Sequence, residues 1–173
     1  MGPLTARRGT QRARPPRGFT LVEILVVLVI LALAGGLAAV ALAPDERGTT
    51  LREARRFAGA VEYAAARAQA RGETLGVSAS GSTLQFWRRD DADQRWRPVA
   101  DDILAPHALP APLVAAAVAY AGQRVATDVI VPLRASGRNE PFTFVIGTSA
   151  WRVVLGADPL TRVTLAGPTA VAP

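Results

Sequence analysis

Residues 17–44 read RGFTLVEILVVLVILALAGGLAAVALAP, and this stretch decides how the rest of the chain is interpreted. From Ile24 to Ala43 it holds 20 consecutive residues without a charge or a strongly polar side chain. At about 1.5 Å of rise per residue, a helix of this length spans roughly 30 Å, the thickness of a bilayer core. A helix buried in a soluble protein is rarely apolar on every side over such a length. We therefore predict a membrane-spanning helix over residues 19–43.

The charges that flank this segment predict its orientation. Residues 1–18 carry five arginines and no acid, whereas the first charges beyond the segment are Asp45 and Glu46. Because basic flanks stay in the cytoplasm, we expect a cytoplasmic N-terminus and a periplasmic domain anchored in the inner membrane. The leader arginines also supply most of the net charge of +6, since the other 15 arginines face 14 acids. The overall basicity therefore gives little support to nucleic-acid binding.

The composition excludes several kinds of enzyme. The chain has no Cys, all 20 of its basic residues are Arg, and its single histidine is His107. Disulfides, cysteine zinc sites, Walker-type phosphate loops and Schiff-base lysines are therefore impossible, and a Ser-His-Asp triad would have to use His107. We expect no enzymatic activity, no cofactor, no metal and no small-molecule substrate.

A secretory signal peptide is the main alternative for the N-terminus. Ala41-Leu42-Ala43 imitates a small-x-small cleavage site. The apolar run, however, exceeds the usual 7–15 residues, and Pro44 follows the imitation directly. The Arg7-Arg8 pair lacks the apolar residues that would make it a twin-arginine signal. A carboxylate just inside the apolar run, Glu23, has no use in a plain signal or anchor, because it is costly to place in lipid.

Glu23 belongs to a specific motif, Gly18-Phe19-Thr20-Leu21-Val22-Glu23. This motif resembles the signature of type IV prepilins. The resemblance implies that prepilin peptidase cuts between Gly18 and Phe19, that residues 1–18 are removed as a leader peptide, and that Phe19 becomes N-methylated.

A physical role for Glu23 follows from such a cut. The carboxylate lies one helical turn from the new ammonium group of Phe19, and a negative charge near a helix N-terminus is favoured by about 0.3–1 kcal/mol. In a low-dielectric bundle of helices, pairing with the ammonium of a neighbouring subunit would stabilise it further. The resemblance implies that this pair sets the register of subunits entering a filament.

The chain beyond Pro44 predicts an α+β domain. Residues 44–72 form a linker and an amphipathic helix, with a capping box from Thr49 or Thr50 to Glu53 and a stop at Gly72. Its predicted buried stripe is Leu51, Ala54, Ala58, Val61, Ala65 and Ala68. Residues 73–173 alternate as about eight short strands, which predicts an antiparallel sheet or open sandwich packed on the helix. A frayed tail is expected over residues 167–173.

This arrangement is similar to the pilin-like family of general secretion pathway protein H, the minor pseudopilins of type II secretion systems. It also resembles the FimT/FimU-type minor pilins, so a type IV pilus or DNA-uptake role stays open. The features that carry the likeness are an Ala/Arg-rich helix end at residues 64–68, a strand–Gly–strand segment at 129–146 and a final strand pair. The family implies a subunit near the tip of a periplasmic pseudopilus that exports folded proteins, with prepilin peptidase and other pseudopilins as partners.

Other candidate sites have ordinary interpretations beside the functional ones. Residues Asp90, Asp91 and Asp93 suit either a calcium loop or a charged turn. Asp101 and Asp102 suit half of a paired-carboxylate hydrolase site, although neighbours on a strand face opposite ways and surface charge is the default. His107 is expected in a loop. The aromatic residues Trp87, Trp96 and Trp151 suit a stacking platform or, more simply, packing.

Overall fold

The computed structural model describes residues 21–41, 45–99 and 101–172. They fall into two compact units, Met1–Pro44 and Asp45–Pro173. The first contains helix α1 (Leu21–Ala41). The second contains helix α2 (Glu46–Arg71) and ten strands. The strands are β1 (Leu75–Gly81), β2 (Thr83–Arg89), β3 (Trp96–Pro98), β4 (His107–Ala108), β5 (Val114–Tyr120), β6 (Gln123–Arg124), β7 (Val131–Leu133), β8 (Phe142–Gly147), β9 (Trp151–Ala157) and β10 (Val163–Ala170).

Helix α1 exposes apolar side chains all around its circumference. Its large apolar residues from Leu21 to Leu33 are each 44–83% exposed. Among the described residues, no helix is both long enough and apolar enough to cross a membrane. The span predicted over residues 19–43 begins and ends outside the described residues, and it stays a prediction.

Helix α2 starts earlier than the sequence predicted. Asp45 is its N-cap and accepts a hydrogen bond from the backbone N–H of Gly48 at 2.8 Å. The predicted capping box at Thr49 or Thr50 is therefore wrong, and the Thr50 hydroxyl instead donates to the carbonyl of Glu46. Asp45 satisfies a free N–H of the first turn, which is what an N-cap requires. The predicted stop is confirmed, since Gly72 adopts the left-handed conformation, φ 65°, that favours glycine.

One side of α2 packs on β1, β8, β9 and β10. Its buried residues include Phe57 and Ala64, which the predicted stripe omitted, while Leu51 and Ala58 are only half-buried. The Phe57 ring lies edge-on to that of Phe144, with centroids 5.3 Å apart. The stripe is rotated from the prediction because this ring fills the space over β8.

The strands form one antiparallel sheet in the order β10-β9-β8-β5-β1-β2-β3. The short strands β4, β6 and β7 pair with β2, β5 and β1 respectively. The strands β8, β9 and β10 pair in chain order as a meander, whereas β7 lies beside β1 rather than β8. An α+β fold with a helix packed on an antiparallel sheet is therefore confirmed.

The C-terminal segment is ordered further than expected. Residues 167–170 belong to β10, and the pairing with β9 shifts register between Ala166 and Thr169. Gly167, with φ 109°, and Pro168 occupy this bulge. The prediction of a frayed tail from residue 167 was wrong because it took the glycine and proline as an end, whereas they form a bulge within a strand.

Candidate functional site

The part of the N-terminal motif that the structure describes begins at Leu21. Glu23 lies in the first turn of α1 and is exposed. Its neighbours Leu21, Val22 and Ile24 are apolar and 47–83% exposed. Gly18 and Phe19 lie outside the described residues, so the predicted cleavage and methylation remain predictions. The described turn thus places a carboxylate on an otherwise apolar and exposed helix surface.

The three carboxylates within α2 all bind the rest of the second unit. Glu46 accepts a hydrogen bond from the Thr148 hydroxyl at 3.0 Å. Glu53 lies 2.8 Å from Nε2 of His107, and Glu62 accepts a bond from the backbone N–H of Val163 at 3.1 Å. These contacts attach the helix to β4, to β10 and to the turn after β8. His107, expected in a loop, is instead part of β4 and is half-buried.

A second ionic cluster holds the C-terminal end of α2. Arg67 donates to Glu73 at 2.8 Å and to Asp101 at 2.6 Å, and the three side chains are only 10–18% exposed. Asp101 also accepts the backbone N–H of Ile103. It is therefore a structural residue rather than the surface charge we expected, while Asp102 is exposed. The two acids do not converge on one site.

The side of α2 opposite its buried stripe carries no carboxylate. At 3.6 residues per turn, seven exposed residues fall within roughly 100° of arc. We call this set the outward face of α2: Arg52, Arg55, Arg56, Gly59, Tyr63, Ala66 and Ala70. In the sequence, the arginines and glutamates of this helix are interleaved. A helical projection separates the two, because the glutamates lie on the flanks and bind the domain.

Gly59 stands at the centre of the outward face. A Cβ added there would meet nothing within 4 Å, so no packing within the described residues requires a glycine. Glycine inside a helix costs about 0.5–1 kcal/mol relative to alanine. The fold of this chain does not account for that cost.

The acidic turn after β2 binds arginine. Asp90 lies 3.1 Å from Nε of Arg97, and Asp93 accepts from Nη2 of the same residue at 2.9 Å. A hydrogen bond from the backbone N–H of Ala92, with Arg97 nearby, lowers the pKa of Asp90. No group of three or more acidic, His or Cys side chains suited to a metal occurs in the described ranges. The contacts of Asp90 and Asp93 with Arg97 are those expected of a charged turn.

The three tryptophans pack in different places. The Trp87 indole donates to the Ser78 hydroxyl at 2.8 Å. Trp96 lies over Gly76, where an added Cβ would come within 2.8 Å of its ring. Trp151 lies on β9 under the guanidinium of Arg47, 5.4 Å from the ring centroid. Since β8, β5 and β1 separate β9 from β2, the three rings do not make one stacking platform.

An open groove of about 650 Å³ runs across the ends of β8, β9 and β10. Its lining includes a single carboxylate, Asp158, whose side chain binds Arg162 at 2.8 Å. The backbone N–H of Arg162 lowers the pKa of this carboxyl further. A paired-carboxylate hydrolase needs two acids that converge. This groove does not provide them.

A prepilin-type motif, an apolar N-terminal helix and a helix packed on an antiparallel sheet together define a pilin-like subunit. Comparison with known families agrees with this class. Residues 14–39 match the prokaryotic N-terminal methylation motif, and residues 53–158 match the type II transport protein GspH family. The second match covers more than half of the chain, and the chain belongs to the GspH family.

A curated relative agrees with the family. The chain is 36% identical over 98 residues to the type II secretion system protein H of Pseudomonas aeruginosa. The aligned part is 56% of this chain and 55% of the relative, so the match spans about half the length of that protein.

Solved structures share the fold. The minor pseudopilin EpsH from the type II secretion system of Vibrio cholerae superposes with a TM-score of 0.57 at 20% identity, over 72% of this chain and 98% of the EpsH chain. A crystal structure of the same protein gives 0.56 at 19% identity, over 73% and 99%. The solution structure of Escherichia coli GspH gives 0.50 at 18% identity, over 73% and 95%. The resemblance to GspH-type minor pseudopilins found in the sequence is thereby confirmed.

Proposed function

We propose that this chain is a minor pseudopilin of a type II secretion system, a structural subunit near the tip of the pseudopilus. It acts without catalysis, as part of the assembly that drives folded proteins across the outer membrane. Prepilin peptidase removes residues 1–18, Phe19 is methylated, and residues 19–43 hold the subunit in the inner membrane with its folded unit in the periplasm. Other minor and major pseudopilins are its partners.

The observation that carries this proposal is the position of Glu23. The carboxylate lies in the first described turn of a helix whose large apolar side chains from Leu21 to Leu33 are all exposed. A helix of this kind favours an apolar environment, and a carboxylate in such an environment is stabilised by a nearby cation. An N-terminal ammonium on Phe19 of a neighbouring subunit has the right charge, and it exists only after cleavage at Gly18.

A type IV pilus minor pilin is the second candidate. The family match names type II transport, which favours the secretion system. DNA binding would need exposed arginines in the β-domain, and the candidates are Arg88, Arg89, Arg95 and Arg97. Of these, Arg97 is already paired with Asp90 and Asp93. Neighbouring genes for a secretin and a secretion ATPase would support the first candidate, and a pilus gene cluster would support the second.

The test of the proposal is a substitution at Glu23. We expect Glu23→Ala to insert in the membrane normally but to co-purify with other pseudopilins several-fold less, because the partner ammonium loses its carboxylate. The matched control is Asp91→Ala, which removes an exposed carboxylate from the turn between β2 and β3 instead. Equal recovery of pseudopilins with Glu23→Ala and with the unchanged chain would contradict the assembly role.

A further inference from the structure

The end of the second unit at which α2 begins is built from three segments of the chain. Glu46, in the first turn of α2, accepts a hydrogen bond from the Thr148 hydroxyl at 3.0 Å, and the Arg47 guanidinium lies 5.4 Å from the ring centroid of Trp151. The last residues of β10 join them through a backbone hydrogen bond to the turn after β8. We call this end of the unit the proximal end, and it comprises residues 45–48, 148–152 and 170–172.

Charged side chains are rare at the proximal end and frequent at the opposite one. The segments 148–152 and 170–172 together hold one charged side chain, that of Arg152. At the opposite end, the segment 88–97 pairs with the start of β1, just after α2, and it holds seven. The proximal end can therefore approach an apolar medium with a smaller loss of hydration.

The two acids of the proximal end are bound within the unit, whereas its two arginines are available. Asp45 accepts the backbone N–H of Gly48 at 2.8 Å, and Glu46 is held by the turn after β8. Arg47 and Arg152 are exposed, and neither has a carboxylate partner within the described residues. A guanidinium group matches a phosphate through paired N–H···O bonds. The two arginines are therefore suited to bind phosphate groups.

The positions of these arginines favour a surface that lies across the end of the sheet. Arg47 lies over Trp151, on the side of the sheet that packs against α2. Arg152 is the next residue of β9, and neighbours on a strand point to opposite sides of the sheet. A ligand on one side of the sheet would contact only one of the two arginines. A bilayer surface that meets the end of the sheet can contact both, and tryptophan is typical of membrane interfaces.

The length of the connection keeps the proximal end close to the predicted membrane span. Asp45 comes two residues after Ala43, where the predicted span ends. Two residues reach about 7 Å at most, and the headgroup layer on each side of a bilayer core is about 5–8 Å thick. Under the proposed function, the first turn of α2 therefore begins in or beside the headgroup layer.

We infer that the proximal end rests on the inner membrane before the subunit enters the filament, with Arg47 and Arg152 bound to the phosphates of anionic lipids. Trp151 lies at the same interface. The inference rests on the proposed function and adds the class of lipid that the folded unit binds. It uses no residue of the outward face of α2.

Quenching of a fluorescent label by lipid tests this inference on the full chain in vesicles. The chain has no cysteine, so Ala150→Cys gives a single labelling site, and Ala92→Cys, at an exposed alanine in the turn between β2 and β3, is the control. The vesicles contain equal parts of phosphatidylcholine and phosphatidylglycerol, with a trace of lipid that carries a nitroxide on its headgroup. We expect strong quenching at position 150 and little at position 92. Equal quenching at the two positions would overturn the inference.

The charges of the lipid and of the arginines supply the second readout. Vesicles of phosphatidylcholine alone should quench the label at position 150 several-fold less. In the mixed vesicles, Arg47→Gln with Arg152→Gln should lower the ratio of quenched to unquenched label by roughly five- to twenty-fivefold, because each arginine near an anionic surface strengthens binding about fivefold. Arg88→Gln with Arg89→Gln removes the same charge from β2 and should leave the ratio unchanged. Equal losses in the two variants, or quenching that does not depend on lipid charge, would contradict phosphate binding at the proximal end.

The N-terminal mass of the membrane-extracted protein, measured before reconstitution, separates this inference from the proposed function. A chain that keeps residues 1–18, or one that starts at Pro44, has not been processed as a pilin-like subunit, and the proposed function then fails. A chain that starts at methylated Phe19 but is quenched equally at positions 150 and 92 leaves the proposed function intact and refutes the lipid contact.

Discussion

At the scale of single residues, Gly59 and Gly76 occupy their positions for opposite physical reasons. A Cβ at Gly76 would lie 2.6 Å from Cγ2 of Ile130 and 2.8 Å from Cζ3 of Trp96, so the strand β1 has no room for it. A Cβ at Gly59 would meet nothing within 4 Å. One glycine is required by packing within the domain, and the other is not.

The two glycines give a paired prediction. Gly76→Ala should lower the free energy of unfolding by about 1–3 kcal/mol, because the indole and the Ile130 methyl must shift. Gly59→Ala should raise it by about 0.5–1 kcal/mol, because alanine favours the helix. Denaturant unfolding of the full chain in detergent measures both. A stabilising Gly76→Ala would refute the packing described around β1.

Asp158 gives a prediction for the dependence of stability on pH. Its side chain accepts the backbone N–H groups of Leu160 and Arg162, both at 2.9 Å, in the turn between β9 and β10. Hydrogen bonding from the Arg162 N–H lowers its pKa below the ordinary 3.8. The folded chain therefore favours the ionised form, so this stabilisation is present above the ordinary pKa and is lost as the pH falls through the lowered one.

Thermal melting over a range of pH tests the role of this carboxyl. At about pH 6, Asp158→Asn should have a lower melting temperature than the unchanged chain. The difference between the two melting temperatures should shrink toward zero near about pH 2. Asp91→Asn is the control, because the Asp91 side chain is exposed and makes no hydrogen bond within the described residues. A difference for Asp158→Asn that stays constant across the range would show that its charge is not involved.

At the scale of elements, the two sides of α2 have different tasks. The inner side buries Phe57 against Phe144 and Phe86. The flanks bind strands through Glu53 and Glu62, and the outward face is left to solvent. The helix thus stabilises the domain with one side and leaves the other side exposed.

Substitutions on opposite sides of α2 should separate these tasks. We expect Phe57→Ala to lower the free energy of unfolding by about 3–5 kcal/mol, because a buried ring leaves a cavity beneath the helix. Tyr63→Ala, on the outward face, should cost less than about 1 kcal/mol. Unfolding titrations of the two variants are compared directly. Similar losses for both would mean that the outward face also contributes to the core.

The sequence predicted those features of the elements that depend on nearby residues. Alternation predicts strands at residues 75–79, 83–88, 114–120 and 142–146, which agree with β1, β2, β5 and β8 to within two residues, and Gly72 ends α2 as expected. The residues that were missed depend on distant contacts. Phe57 is buried because β8 supplies Phe144, and His107 joins β4 because Leu84 pairs with it. The spacing of residues along the chain does not indicate which distant residues they contact in the fold.

The whole molecule consists of two different units. The folded unit matches the GspH family over residues 53–158, and the methylation motif matches residues 14–39. The motif could be recognised from six residues because peptidase recognition is local. Which charges of α2 are bound within the fold could not be predicted, because this depends on residues that are distant in the sequence.

The N-terminus of the membrane-extracted protein is the sharpest test of processing as a pilin-like subunit. Intact-mass and peptide mass spectrometry should find that the chain starts at Phe19 and carries one methyl group there. The same sample should retain the apolar segment through Ala43. A chain that starts at Pro44, or one that keeps residues 1–18, would contradict processing as a pilin-like subunit.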